Sequence, residues 1–422
     1  MMSLILILLF SLSFNSCSFM NSPVLPYENQ EAMGLPVFYI HPKPISKDFY
    51  SPATVIYKGK SYDAEARIRG GFTAYSPKKS YTIRFSDSDL FNDPELGSEG
   101  FTDRKKILLV ADFDDNSHIR NRLAQKIWEM MQDQGGGLYS SPVIQTDSSV
   151  VYTNGSFEGL YTVIDAVNEQ YFDRYADSST TPSLDSVEMT SGGNLYKGDT
   201  REANFYIKNE LYDGFSKKMG TPESGNRGAY DDLTDLILFV NNSSDDEFAD
   251  ASDGFSTMAS VESYYDWWFF SSFISAGDSM NKNAYHYHNP HGLWYFLPWD
   301  YNQSFGQNYI TKRKSPSFSK YAQSQNGIFK RLVNHPGYET AQNSRYSEML
   351  DTALELDQIL AEVDTLWDEV QEAAEADWDK WGKEYRSYEW WENRDDFTTP
   401  REEVDYIKMW ITSIHGQAKS QF

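Results

Sequence analysis

Cysteine is all but missing from this chain of 422 residues: Cys17 is the only one, so no disulfide can form within it. Positive charge is scarce as well. Sixty-two acidic residues face 37 lysines and arginines, a formal charge of −25, which repels nucleic acid and anionic membrane surfaces and argues against polynucleotide binding. An anionic ligand such as a nucleotide therefore needs Mg2+ and a few inward-facing cations. The N-terminus has no apolar run long enough to span a bilayer: Leu4–Phe14 has the length of a signal-peptide core. Cys17 follows it in Asn15-Ser16-Cys17-Ser18, the place of a lipid-bearing cysteine, although no Lys or Arg precedes the run and Phe14 stands where an aliphatic residue is usual. Residues 1–17 thus read as an export signal and 18–35 as a linker. The mature protein is expected at the cell envelope, anchored at Cys17, or otherwise periplasmic or extracellular.

What is present is a foldable chain, 40% hydrophobic and 16% aromatic, enough for one large core or two smaller ones. Ser61 to Arg69 alternates, with Tyr62, Ala64, Ala66 and Ile68 on one face, and the turn-rich Gly70 to Pro77 leads into a second alternating run, Lys78 to Phe85. The two runs predict a β-hairpin. Ile107 to Val110 reads as a buried strand, and Ile119, Leu123, Ile127 and Met131 recur every four residues as a helix does, with Ser117 or Asp115 as its cap. Asn154-Gly155 between two β-rich arms predicts another hairpin. Residues 173–192 and 241–258 are polar and aperiodic and read as loops. Ser260 to Ala276 suits a helix buried on most sides, and from Leu354 to Val370 an apolar stripe predicts a helical final part. No repeat array is visible.

The residues that carry chemistry cluster after the aromatic segment. Asp278-Ser279-Met280-Asn281-Lys282-Asn283 sets an Asp five positions before an Asn, the spacing of a kinase catalytic loop. Ala284 to His288 and Leu293 to Leu297 flank the turn-like Asn289-Pro290-His291-Gly292, so they should pair and return the chain, at Pro298-Trp299-Asp300, beside Asn283. Asp300 and Asn283 could then share one Mg2+-nucleotide. Strand parity selects the cation: Lys79 shares its face with Tyr81, Ile83 and Phe85 and should point inward, whereas Lys78 shares one with Ser80, Thr82 and Arg84 and should be nearly silent to substitution. Arg69 ends the preceding strand, and its fork suits phosphate oxygens.

Arg67-Ile68-Arg69-Gly70, Lys78-Lys79-Ser80-Tyr81, His118-Ile119-Arg120-Asn121, Gly159-Leu160-Tyr161, Leu195-Tyr196-Lys197 and Pro298-Trp299-Asp300, in this order, resemble the CotH family of atypical secreted kinases. The resemblance covers about residues 36–415, with 350–415 as the mainly helical part and 416–422 as a tail. It implies an α+β, atypical protein-kinase-like fold of two lobes, with β-hairpins in the N-terminal part. It also implies use of ATP and Mg2+, or Mn2+, to phosphorylate Ser on an exported or surface protein. Carried over, Asp278 would accept the substrate hydroxyl proton and Asn283 and Asp300 would hold the metal. Lys79, Arg69 and Lys197 would bind the nucleotide, with Asp165 as the lysine's carboxylate partner. Gly71-Phe72 replaces the family's usual Asn-Ser, Asp165 its usual Glu, and Asn302 a second Asp.

Two other readings compete. His286, His288 and His291 could hold a transition metal, and the Trp- and Tyr-rich surface could belong to a non-catalytic envelope or assembly protein on the same fold. The anchor is tested directly: Cys17→Ser should abolish lipid labelling and release the protein from membrane fractions, and unchanged membrane association would refute it.

Overall fold

The computed structural model describes residues 30–42, 45–133, 140–176, 192–320, 325–333, 335–391 and 397–422. The leader with Cys17, and nearly all of the polar stretch at 173–192, lie outside them. Seven strands build the N-terminal half: β1 (Leu35–Pro42), β2 (Ser51–Tyr57), β3 (Lys60–Arg69), β4 (Ser80–Phe85), β5 (Lys106–Val110), β6 (Thr146–Thr153) and β7 (Ser156–Asp165). They run in the order β1-β2-β3-β4-β5-β7-β6, and β6 pairs back onto β1, closing a barrel. Neighbours are antiparallel except at that seam, where Val37 to Ile40 run parallel to Val150 to Thr153. The two expected N-terminal hairpins are members of this one closed sheet, a closure that no local sequence signal reports. The β6–β7 turn is the one Asn154-Gly155 announces, both residues having positive φ, 51° and 81°.

Alternation along the strands sorts residues between two cores. Phe38, Ile40, Val55, Ile83, Leu109 and Val163 fill the barrel with Phe91 and Phe101. Val37, Tyr39, Leu108, Val110, Leu160 and Ile164 leave its outer wall and join the core of the helical body. Both faces of several strands are therefore buried, which is why they read as continuous apolar runs.

The second half is mixed. A four-stranded antiparallel sheet orders β9 (Phe215–Met219), β8 (Asn194–Gly198), β10 (Ala284–His288) and β11 (Trp294–Pro298). Helix α1 (Arg120–Gln132) follows β5 after a loop, and Asp115 accepts the Arg120 backbone N–H at 2.9 Å, meeting one of the donors a helix start leaves open. Helix α2 (Val261–Phe273) is buried nearly all round, as its composition predicts. Long α3 (Leu356–Ser387) packs on the barrel strands β7 and β1, and α4 (Pro400–Lys419) packs on α3 and α2. Thr399 and Glu402 form a capping box on α4, with Pro400 in its first turn. This last helix runs beyond residue 415, and Phe422 packs on Phe318, Phe269 and Tyr346. The architecture is thus mixed α+β with a helical C-terminal part, and its β-rich half is a closed barrel where the resemblance implied a kinase-like lobe. Among the described residues, no helix is long and apolar enough to cross a membrane.

Trp267 joins fold to loop. Its ring stacks on Phe296 at 4.8 Å, and its Nε1–H donates to the Ser279 carbonyl at 2.6 Å, pinning the turn that carries Asp278. Trp267→Ala should cost about 3–5 kcal/mol in urea unfolding. Trp267→Phe, which keeps a ring and loses the donor, should cost nearer about 1–3 kcal/mol, and equal costs would show that the hydrogen bond contributes nothing.

Candidate active site

Between the barrel wall and the second sheet opens a cleft of about 1030 Å3. Nine lysines and arginines line it against five aspartates, an inversion of the charge balance of the whole chain, −25. Such a cleft selects anions.

The Asp278 side is built by β8, β10 and β11. Ala284 pairs with Pro298, so Asn283 and Trp299-Asp300 extend from adjacent strand ends, and Asp278, Asn283 and Asp300 all line the cleft. Asn283 and Asp300 have positive φ, 56° and 66°, the left-handed conformation that Asn and Asp tolerate best among residues with a Cβ. Gly198 lets the loop pass: a Cβ there would collide with the Asn281 carbonyl, and the Asn283 N–H donates to the Gly198 carbonyl at 3.0 Å. Asp278 is held by Lys282 at 2.7 Å and Arg201 at 3.3 Å. Lys197 also lines the cleft and pairs with Asp199 at 3.2 Å. Arg69 reaches the same place from β3, its guanidinium 5.8 Å from the Trp299 ring centre.

Two expected residues are elsewhere. Lys79 points away from the cleft lining, its ammonium donating to the Ala74 and Ser76 carbonyls at 3.1 and 2.6 Å. Asp165 is fully buried, 3.1 Å from Arg104 Nε, and lies outside the lining too. The buried lysine is Lys78. Its ammonium donates to Asp377 at 2.5 Å, to the Leu160 carbonyl at 2.5 Å and to the Ala111 carbonyl at 2.9 Å, with the Tyr161 ring 4.7 Å away. Parity assigned the two lysines to opposite faces correctly. The error lay in equating the apolar face with the site: that face is the barrel interior, and the face of Lys78, Ser80 and Thr82 is the cleft wall.

Asp377 comes from α3. Burial by itself would raise its carboxyl, but Lys78 and His118, 3.3 Å away, outweigh it and hold it at about 2. Gly159 admits it, since a Cβ there would overlap the carboxylate, and the next backbone N–H, of Leu160, donates to it at 2.8 Å.

The loop after β5 supplies acids that motif reading passed over. Asp112 and Asp114 line the cleft, burial raising the first to about 7 and the second to about 6, with Asp300 adding to the rise of Asp114. Asn121 donates to Asp112 at 2.6 Å and accepts the Tyr301 N–H at 2.8 Å, so it ties this loop to the residue after Asp300. Asn302 donates to Asp114 at 2.6 Å. A signal existed in Asp112-Phe113-Asp114-Asp115, an acidic run just before a helix, but nothing local brings it to Asp300.

The histidines form no metal site. His286 is buried against Trp267 and Phe205, and burial lowers it to about 3; His288 pairs with Asp232 at 2.7 Å. Among the described residues no three His, Cys, Asp or Glu side chains gather as a metal cage. Mg2+ asks for less, one or two side-chain oxygens plus substrate phosphates; the Asp300 carboxylate and the Asn283 amide oxygen, both in the cleft lining, would be the protein's share.

The lysine assignment is open to test. Lys78→Met should destabilise the fold by about 3–5 kcal/mol, because Asp377 is left buried and unpaired, whereas Lys79→Met should cost about 1 kcal/mol or less, its partners being carbonyls at a partly exposed turn. Chemical denaturation decides, and the reverse order would refute the placement.

Comparison with known proteins agrees with this site's motifs. The family model described as CotH kinase protein matches residues 66–414. Inner spore coat protein H of Bacillus subtilis (strain 168) is 25% identical over 346 residues, spanning 78% of this chain and 83% of that protein. The six ordered motifs, the matched span and that relative place the chain in the CotH family.

Proposed function

We propose that the protein is an exported atypical protein kinase that transfers the γ-phosphoryl group of ATP, with Mg2+ or Mn2+, to a hydroxyl, Ser foremost, of a protein at the cell envelope or surface coat. The observation that carries this reading is that Asp278, Asn283 and Asp300 all line one cleft together with nine cations, in a chain of net charge −25. The family description and the spore-coat name of the relative support the activity and the location respectively. On this reading the fold does the work of a two-lobed kinase, with the barrel wall as one jaw and the second sheet with its helices as the other. A bound Mg2+ would neutralise the charge that develops on the transferred group.

Asn283 and Asp300, at adjacent strand ends, would hold the metal. Arg69 and Lys197 face the phosphates, and Lys78 replaces Lys79 as the cleft's buried cation, with Asp377 in the role first given to Asp165. Asp278, oriented by Lys282 and Arg201, would take the proton of the acceptor hydroxyl as its oxygen bonds to the γ-phosphorus and the bond from that phosphorus to the bridging oxygen breaks, ADP leaving. Export rests on the Leu4–Phe14 run, and Cys17 is its proposed anchor. A second reading, an assembly protein on the same fold, draws on the exposed rings of Tyr75, Tyr309 and Trp390, which are 70%, 49% and 54% accessible.

The two readings part in the intact chain. Mg2+-ATP should raise its unfolding temperature, since a ligand of the folded state stabilises by mass action. Asp300→Asn should weaken that binding at least about tenfold, together with transfer. Asp278→Asn should keep most of the nucleotide-induced shift while lowering transfer by about 10²–10⁴. No shift at millimolar nucleotide with either metal sinks the kinase reading, and wild-type transfer by both variants sinks the assignment of roles.

A further inference from the structure

The cleft has a second cationic region that phosphoryl transfer leaves without a task. On the outer face of the barrel, Arg67 of β3 stands opposite Thr82 of β4, Thr82 opposite Leu108 of β5, and Arg84 opposite Lys106. Arg67, Thr82, Lys106 and Lys47 all line the cleft. At a strand rise of about 3.3 Å per residue, Arg67 lies roughly 7 Å along β3 from Arg69.

The nearby acids are already taken. Glu65 pairs with Arg84 at 3.2 Å, Asp87 with Lys105 at 2.5 Å, and Asp165 with Arg104 at 3.1 Å. Among the described residues Arg67 and Lys106 form no ion pair, and Arg67 Nε is buried without an acceptor. Lys47 reaches only the Gly71 carbonyl, at 3.3 Å, and the Tyr75 ring, at 4.8 Å. Tyr50 receives two guanidiniums on its ring, Arg67 at 4.7 Å and Arg84 at 3.7 Å, which fixes where they stand. Burial, and repulsion from Arg84 and Arg67, push the Lys106 ammonium below its ordinary range. Like charges crowded on a partly buried face are unfavourable until a counter-charge arrives. In a chain with 25 surplus negative charges, acids are plentiful, yet among the described residues none forms an ion pair with Arg67 or Lys106.

We propose that Arg67, Lys106 and Lys47, with the Thr82 hydroxyl, form a metal-independent subsite for a phosphate-type oxyanion, distinct from the Asp278, Asn283 and Asp300 end of the cleft. The arginine fork supplies paired donors, the lysines add charge, and the hydroxyl completes the set. Such a group has two sources: the polyphosphate of a nucleotide, or a phosphorylated residue already carried by the acceptor polypeptide.

The inference does not rest on catalysis, and its test keeps the two apart. Inorganic phosphate is titrated into the intact chain with EDTA present, with thermal unfolding as the readout and chloride at equal ionic strength as the blank. Phosphate should raise the midpoint of wild type and Asp300→Asn alike, whereas Arg67→Gln and Lys106→Gln should each bind it at least about tenfold more weakly. Lys106→Gln carries the test should Arg67→Gln fail to fold. A second titration, without EDTA and with saturating Mg2+-ATP, then identifies the source: loss of the phosphate effect assigns the subsite to the nucleotide, and an additive effect assigns it to a phosphorylated acceptor. Phosphate acting no better than chloride, or binding to Lys106→Gln as to wild type, overturns the proposal.

Discussion

The buried ion pair of Lys78 and Asp377 is the constraint on which the rest depends. A lysine with no exposed side chain and a carboxylate 299 residues further on meet at 2.5 Å behind the cleft wall. Neither could be buried alone, since an unpaired charge in such a place costs several kcal/mol. The pair is completed by carbonyls on one side and by His118 and the Leu160 N–H on the other. It thereby joins the entry to β4, the edge of β7, the loop before α1 and the middle of α3. The C-terminal helices are for this reason part of the site's frame and not an appended subdomain.

A second buried network does the same for the far side of Asp300. Arg120 donates to Asp115 and Glu403, both at 2.5 Å, and to the Ser304 carbonyl at 3.1 Å. Arg313 meets Glu403 with two bonds of 2.7 Å. The segment following Asp300 is thus clamped between α1 and α4, so the hairpin end that presents Asp300 is held from behind. Two ion-pair networks, one per side of the cleft, place the mobile-looking loops of the sequence on rigid supports, which is what a site of stated geometry requires.

Local chemistry made much of this legible. Alternation in Ser61 to Arg69, the Asn154-Gly155 turn, the fourfold spacing of Ile119 to Met131 and the aromatic run before Asp278 each reported an element that is present, because each reflects short-range backbone preference or the burial of a single face. The hairpin after Asn283 was legible for the same reason, and with it the neighbourhood of Asn283 and Asp300. The choice of Lys79 assumes one buried face per strand, and Asp165 as its partner was implied by the resemblance alone. The barrel buries both faces, so alternation distinguished the faces without saying which of them formed the cleft.

By itself, then, the sequence determined many of the elements, though not the short helices Asp245–Phe248 and Phe255–Met258 in the stretch read as a loop, together with the family and the Asp278 to Asn283 loop, since these are written in spacings of a few residues. Only the tertiary structure decided that β6 closes on β1, that Lys78 takes Asp377, that Asp112 and Asp114 come to Asp300, and that Arg67 and Lys106 stand unpaired in the same cleft. These are contacts between residues tens to hundreds of positions apart. Charge and polarity announce the need for a partner, but which partner is set by chain packing, where desolvation makes one pairing favourable over another.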